Sequence, residues 1–293
     1  MSRLTRRRTP PSGYVARAEL LVLIPAALCV FGVAFLAFGE QPAPDADARD
    51  LIVRALERAT RNEEQNFGAL HRSLMTREVR HFDGDGRVEE EDLGDYEVIP
   101  IDGARFQRRL TINGRTLSEE EQQGEREREA EFREERRRRR EGADAGQEEE
   151  EEEDEDEIVF NEELIGRFVF ALESDEPLRG RPNYLVSFRP KAGRLPVRRR
   201  IDYALNKARG QIWIDQETFE AARVELELID KVRLLWGVVG TISHARGSID
   251  RGPVLGDKWA QLQFETYTDV RSFLRRTRRA EITRWRDFRL IEE

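Results

Sequence analysis

The sequence predicts a mainly antiparallel β domain with flanking helices, preceded by an apolar N-terminal helix and interrupted by a charged insert. The first observation is a hairpin pattern. Ile212 and Ile214 alternate with Gln211, Trp213 and Asp215, and Val224, Leu226 and Leu228 alternate with Arg223, Glu225 and Glu227. A period of two is what a strand with one dry and one wet face requires, and residues 216–218 between the runs supply the turn. The second observation is that similar runs lie on both sides, which makes the C-terminal half one antiparallel sheet with a continuous apolar face. The third is that residues 1–50 and 119–157 are unsuited to a core, which leaves about 200 residues, enough for one sizeable β domain.

In chain order, Arg3, Arg6, Arg7, Arg8 and Arg17 precede residues 20–39, which carry no charge. Twenty apolar residues are long enough to cross a bilayer as a helix, with the arginines on the cytoplasmic side. The segment reads either as a retained anchor in the inner membrane or as a signal peptide cleaved after Ala37-Phe38-Gly39. In both cases everything after Glu40 lies outside the inner membrane, in the periplasmic part of the cell envelope. The domain organisation that follows is 1–40 basic tail and membrane segment, 41–48 linker, 49–118 first part of the β domain, 119–157 insert, and 158–293 second part of the β domain.

Over residues 49–64, Ile52, Ala55, Leu56 and Ala59 recur at helical spacing with charges between them, an amphipathic helix that packs on the sheet. Extended segments follow at 74–82, 87–101 and 105–112, with turns at Asp83-Gly-Asp-Gly86, Asp102-Gly103 and Asn113-Gly114. Asp83 and Asp85 match the start of a calcium loop, but Arg87 occupies the third ligand position, so a hairpin turn is the better reading. Ser118 and Glu121 have capping-box spacing and open a helix. That helix is nearly all charge, with Glu129–Arg133, Glu134–Arg138 and Glu135–Arg139 as i,i+4 pairs and no apolar face, so it is expected to be a solvated rod or disordered. Residues 148–157 are all acidic and are expected to be unfolded. The insert is either a tolerated surface insertion or a docking surface for a basic protein partner.

After the insert, Phe168, Phe170 and Leu172 alternate with Val169 and Ala171, and Tyr184, Val186 and Phe188 alternate after a turn through residues 176–182. Residues 196–208 can form a short helix with Gly210 at its C-cap. Residues 231–245, 258–269 and 280–290 supply the remaining strands.

Composition narrows the function. The net charge of −9 divides unevenly: residues 1–39 hold five Arg and one Glu, residues 119–157 hold 8 basic and 21 acidic side chains, and the rest is neutral. A neutral fold gives no support to nucleic-acid binding. Cys29, the single cysteine, sits in the apolar segment behind the bulky Leu28, which argues against lipid attachment and leaves the domain without a thiol. His71, His81 and His244 have no ligand spacing, and there is no phosphate loop and no nucleophile motif. No enzyme, metal or cofactor is therefore expected. Arg198, Arg199, Arg200, Arg275, Arg276, Arg278, Arg279, Arg284, Arg286 and Arg289 form a basic surface, read as a solvated strand face or as a contact for anionic headgroups or an acidic partner.

Several local patterns, namely Phe168-Val-Phe-Ala-Leu172, the run from Gly180 to Pro190, Gly210-Gln-Ile-Trp-Ile-Asp215 with the strand Arg223 to Leu228, Trp259, and Trp285-Arg-Asp-Phe288, resemble the LolA/LolB superfamily of bacterial envelope lipoprotein carriers. The resemblance covers residues 47–118 loosely and 160–290 better. It implies a curved, half-open antiparallel β-barrel closed on one side by helices, with an apolar cavity for the acyl chains of lipid or lipoprotein. The charged insert and a retained anchor depart from a diffusing carrier, and no residue here matches the carriers' functional arginine. On this reading Phe168, Phe170, Tyr184, Val186, Phe188, Ile212, Ile214, Val224, Leu226, Leu228, Leu262 and Phe264 turn toward one concave interior. The alternative is a membrane-anchored interaction or sensory module in which the same residues fill a core. A reporter enzyme that works only outside the inner membrane should be active when fused after Glu293; activity confined to the cytoplasm would overturn the topology.

Overall fold

Turn chemistry organises the first part of the domain. The computed structural model describes residues 46–64, 71–144, 162–234, 240–272 and 275–291; the apolar segment 20–39, the acidic run 148–157 and the Leu235–Val239 stretch lie outside them. Strands β1 (His71–Phe82) and β2 (Val88–Ile101) are joined at Asp83, whose Oδ1 accepts the N–H groups of Asp85 and Arg87 at 2.9 and 2.8 Å. The carboxylate is thus engaged by its own backbone, as a hairpin turn requires. Asp102-Gly103 turns β2 into β3 (Ala104–Arg109), and Asn113-Gly114 joins β4 (Thr111–Ile112) to β5 (Arg115–Thr116). Both residues of each pair have positive φ, the two-residue turn that matches strand twist.

The later strands are β6 (Phe168–Asp175), β7 (Asn183–Pro190), β8 (Ala208–Asp215), β9 (Ala221–Leu228), β10 (Val232–Leu234), β11 (Gly240–Leu255), β12 (Lys258–Ser272) and β13 (Arg275–Leu290). They join β1–β3 in one antiparallel sheet of order β3-β2-β1-β13-β12-β11-β9-β8-β7-β6, with β10 beside β11. The sheet is large, curved and unclosed, because β3 and β6 end the path without pairing with each other. This is the mainly antiparallel, half-open arrangement expected from the sequence.

Register carries one face across the sheet. Phe170 stands opposite Phe188, Phe188 opposite Gly210, Gly210 opposite Leu226, and Leu226 opposite Gly247. Helix α1 (Ala46–Glu64) lies on this inner face: Ala48 and Ile52 are buried with Val186, Ile212 and Ile214, and Leu51, Val53, Ala55 and Leu56 pack beside them. Its far half is tied to the β8–β9 turn by the Arg54 guanidinium over the Phe219 ring at 3.5 Å and by Arg58 Nε on Glu220 Oε1 at 2.9 Å.

Three sequence expectations are corrected. The inner face is not apolar throughout. Past Gly247 the same row continues to Thr266 and Glu281, where Arg77 and Arg279 bind the Glu281 carboxylate at 2.7 and 2.8 Å. Alternation within a single strand does not reveal which neighbours its apolar face will meet, and here the strands on the β1 side bring charges. Nor is the outer face wet at the organising hairpin. Trp213 and Asp215 are buried, the tryptophan in a second small core with Leu185, Ala222 and Trp259. Finally, the expected helix over 196–208 shrinks to α4 (Asp202–Leu205), and Gly210 lies inside β8. A Cβ at Gly210 would stand 1.9 Å from the Glu225 carbonyl oxygen and 2.6 Å from the Phe188 ring, so glycine is there to let Phe188 lie across it.

The insert also differs from expectation. Ser118 and Glu121 form the capping box, Ser118 N–H donating to Glu121 Oε2 at 2.8 Å and Glu121 N–H to Ser118 Oγ at 3.3 Å. The Arg115 guanidinium and the Ser118 N–H hold the Glu121 carboxyl down to about 2. Helix α2 (Glu119–Asp144) carries the three i,i+4 pairs read from the sequence, at 2.7, 3.2 and 2.7 Å. It is docked, however, and not a free rod. Phe132 packs on Phe106 with ring centroids 5.3 Å apart and closes a small core with Ile99 and Ile101. One aromatic residue gives no periodic stripe, so the docking face leaves almost no trace in the pattern. Around it, Glu125 accepts the Arg109 N–H at 2.9 Å, Arg128 donates to the Gln107 carbonyl, and Arg136 donates to the Asp102 carbonyl at 3.1 Å. The first two contacts satisfy backbone groups of the terminal strand β3 and the third one in the turn before it, which protects a sheet edge.

A Gly/Ser loop in place of residues 119–157 is expected from sequence to be neutral, but the docked helix changes that expectation. Phe132→Ala should cost about 2 kcal/mol, from lost apolar burial and an aromatic pair. That corresponds to a fall of roughly 4–8 °C in the melting temperature of a domain this size, measurable by circular dichroism. No change would mean that α2 is not held by this residue.

Candidate functional site: an apolar cavity under two short helices

The residues that alternate in β6 to β9 meet two short helices placed by the segments around them. Helix α3 (Glu162–Arg167) runs directly into β6 and buries Leu164 and Ile165. Helix α4 precedes β8 and buries Ala204 and Leu205, next to the buried Ile201. Between these helices and the sheet is a cavity of about 70 Å³ lined by Leu164, Ile165, Phe168, Phe170, Phe188, Ile201, Ala204, Leu205, Ala208, Ile212, Val224, Leu226 and Leu228. Every lining residue is apolar. The aromatic wall is ordered by ring contacts, Phe168 meeting Phe188 edge-on at 5.2 Å and Phe170 at 6.4 Å.

Seven of the twelve residues named from sequence line this cavity: Phe168, Phe170, Phe188, Ile212, Val224, Leu226 and Leu228. Val186 and Ile214 are fully buried in the core behind it, and Tyr184 packs against that core. Leu262 and Phe264 are elsewhere. Phe264 stands between Ile249 and Thr283, toward the polar half of the inner face. Leu262 sits at a bulge between Gln261 and Gln263, and a Cβ on Gly252 would come within 2.8 Å of it. A bulge shifts the two-residue alternation, so parity of residue number stops reporting the face. The sequence reading missed Leu164, Ile165, Ile201, Ala204, Leu205 and Ala208. The signal for part of this set was available, since Ile201, Ala204 and Leu205 have the i, i+3, i+4 spacing of one helix face.

A buried polar cluster fixes the two helices to each other. Arg167, 4% exposed, binds the Asp202 carboxylate at 3.0 Å, and Asp202 is 0% exposed. The same guanidinium donates to the Pro196 carbonyl at 2.9 Å, Asn206 Oδ1 at 3.0 Å and Glu163 Oε1 at 2.9 Å. Asp202 Oδ2 also accepts the N–H groups of Arg198 and Arg199 at 2.7 and 3.1 Å. Burial pushes the Asp202 carboxyl up, but the two N–H donors and the Arg167 charge outweigh it and hold the group below its ordinary range.

Elsewhere the charges are absorbed in pairs. Asp269 binds Arg276 and, at 3.5 Å, Arg278, and Arg286 lies 3.7 Å from Asp95, whereas Arg284 donates to the uncharged amide of Gln263 at 2.9 Å. Much of the basic surface expected on the last strand is thus neutralised by neighbouring strands. Among the described residues no three His, Cys, Asp or Glu side chains are arranged to hold a metal ion, and no helix is long and apolar enough to cross a membrane.

No protein-family model and no curated protein matches the chain. Among solved structures the chain is similar to a domain assigned as an outer membrane lipoprotein-sorting protein from Vibrio parahaemolyticus, with 11% identity over 83% of this chain and 95% of that one and a TM-score of 0.32. It is also similar to a LolA superfamily protein from Nitrosomonas europaea, at 12% identity, 84% and 94% coverage and a TM-score of 0.29. A third is a chain of the Pseudomonas aeruginosa MucA/MucB complex, at 11% identity, 85% and 100% coverage and a TM-score of 0.25. At these scores the superpositions are distant, and the fold assignment stands on the strand order and register of the chain itself.

The polar cluster generates a pH-dependent prediction. A carboxyl held below its unfolded value contributes stability that is complete above about pH 4 and is lost as pH falls through its folded value. Asp202→Asn should lower stability by about 3 kcal/mol at neutral pH, because it leaves Arg167 buried with a partner removed. It should also flatten the acid limb of a plot of urea midpoint against pH. An unchanged acid limb would show that Asp202 does not couple the helices to pH.

Proposed function

We propose that the chain is a non-enzymatic binding protein of the cell envelope that holds the acyl chain of a lipid or lipoprotein on the inner face of its open sheet. The observation that carries this reading is the cavity under α3 and α4, whose lining offers no polar group to a ligand. Such a surface selects for hydrocarbon, and each methylene buried in it contributes about 0.8 kcal/mol. The cavity holds about 70 Å³, against roughly 300–1,000 Å³ for pockets that enclose a small ligand. A chain therefore enters by displacing α3 and α4. Those helices are six and four residues long and are fastened by the Arg167–Asp202 cluster, so they can move without disturbing strand pairing.

The same small volume favours a second reading, in which the interior is a filled core and the domain is an envelope module that docks a protein partner. The two separate cleanly by experiment. On the first reading the protein purified from membranes carries lipid detectable by native mass spectrometry, and it binds a fluorescent fatty acid. Leu226→Trp should then abolish probe binding while the melting temperature stays within a few degrees, since the added ring occupies existing space. A parent that never binds the probe and purifies as a clean apo mass would leave the filled core.

A further inference from the structure

Strand β2 is longer than the elements that cover its free side. β3 pairs with residues 96–101 of β2, and the chain after β3 covers it as far as Leu93. Leu110 N–H donates to the Asp95 carbonyl at 2.7 Å, and Asp95 N–H donates to Thr111 Oγ1 at 3.0 Å. Asn113 closes Leu93 in the same way, donating its N–H to the Leu93 carbonyl at 2.7 Å and accepting the Leu93 N–H on Oδ1 at 2.8 Å. From Val88 to Asp92, β2 is paired with β1 alone among the described residues. Backbone groups alternate in direction along a strand, so the outward series through Asp95 and Leu93 next brings the N–H and C=O of Glu91 to the open side. Nearer the turn the register shifts where Val88 meets Phe82, and Glu89 is the extra residue of a bulge. The tip of this arm is fixed, because Arg278 Nη1 on β13 donates to the Asp83 and Gly84 carbonyls at 3.2 and 3.1 Å.

The charge of the open edge is one-sided. Glu89, Glu90, Glu91 and Asp92 are consecutive, and Arg87, in the turn, is the one cation of the run 83–92. Arg80 meets Glu91 at 2.7 Å and Arg109 meets Asp92 at 2.6 Å, yet these two carboxylates stay 49% and 50% exposed. Glu89 and Glu90 are exposed and have no ion pair among the described residues. Val88 beside them is an aliphatic side chain 52% exposed. Charges along an open edge keep other strands away by repelling like charge. A second copy of this edge would bring four more carboxylates and is excluded, whereas a strand bearing arginine or lysine is attracted. We infer that residues 88–92 dock an extended basic segment of another protein, which adds to β2 as a further strand. Backbone bonds to the outward groups of β2 hold that segment, and its cations meet Glu89 and Glu90. Docking here does not require the cavity to hold an acyl chain, so it goes beyond the function proposed above.

The test titrates the full-length chain with a capped peptide of four Val-Arg repeats and follows hydrogen–deuterium exchange. Exchange in residues 88–92 should slow several-fold, and added salt should raise the peptide concentration needed. A peptoid with the same side chains keeps the charge but has no backbone N–H, so it should leave exchange in 88–92 unchanged. The acidic run 148–157 also attracts arginine, but by charge alone, and so takes up peptide and peptoid alike without slowing exchange in 88–92. In the double variant Glu89→Gln, Glu90→Gln the concentration giving half protection should rise about ten-fold, since each cross-strand pair of opposite charge counts for up to about five-fold. The control Glu120→Gln, Glu131→Gln removes the same charge from exposed positions of α2 and should leave that concentration unchanged. Unaltered exchange in 88–92 with the peptide, equal slowing by the peptoid, full protection in the edge variant, or an equal loss in the control would overturn the inference.

Discussion

An antiparallel sheet that does not close has to cover an apolar face and protect its end strands, and most of this structure follows from how the chain does so. The strands from β6 to β9 present phenylalanine and aliphatic side chains in matched rows, too many to leave in water. Helices α1, α3 and α4 cover them. Because the covering elements are short or amphipathic, they meet the curved sheet incompletely, and the cavity is the remainder. Gly210 shows how closely the strands themselves are fitted, since a single added carbon would strike both a neighbouring backbone and the Phe188 ring.

The polar interactions fall into two kinds. One kind joins elements that the apolar core alone would leave loosely oriented: Arg167 with Asp202 between α3 and α4, Arg58 and Arg251 on the buried Glu220, and Arg181 on the buried Asp215. In each a carboxylate is removed from water and given two or more donors or cations, which is the condition for a buried charge to be tolerated. The other kind lies between exposed strands and along α2, where alternating charges are screened by solvent and contribute little individually.

Much of this was legible in the sequence because it is local. The period of two in residues 212–228, the turn pairs Asp102-Gly103 and Asn113-Gly114, and the Ser118–Glu121 capping box each specify geometry within a few residues. The seven cavity residues follow the same alternation, and the register shifts of β6–β7 and β8–β9, at Leu172/Ser174 and Trp213/Ile214, fall outside them. What escaped was non-local. Phe132 docks α2 as one residue in a field of charge, Trp213 is buried by partners from three other strands, and Leu262 departs from its expected face at a bulge. The row from Leu226 to Glu281 changes character halfway across, although each strand read alone looks amphipathic. Gly210, taken for a helix cap, is a strand residue whose role depends on a phenylalanine 22 positions earlier.

The manner in which α2 is attached has a consequence for self-association. Its hold on β3 combines one aromatic contact with ionic and side-chain-to-backbone bonds at the surface, and the ionic part weakens as salt rises. Detachment would bare the Gln107 carbonyl and the Arg109 N–H, groups that a strand from another molecule can satisfy equally well. High ionic strength would then do the reverse of what is usual for a charged protein. Instead of merely quieting electrostatic contacts between molecules, it would release a templating edge and promote strand-to-strand oligomers.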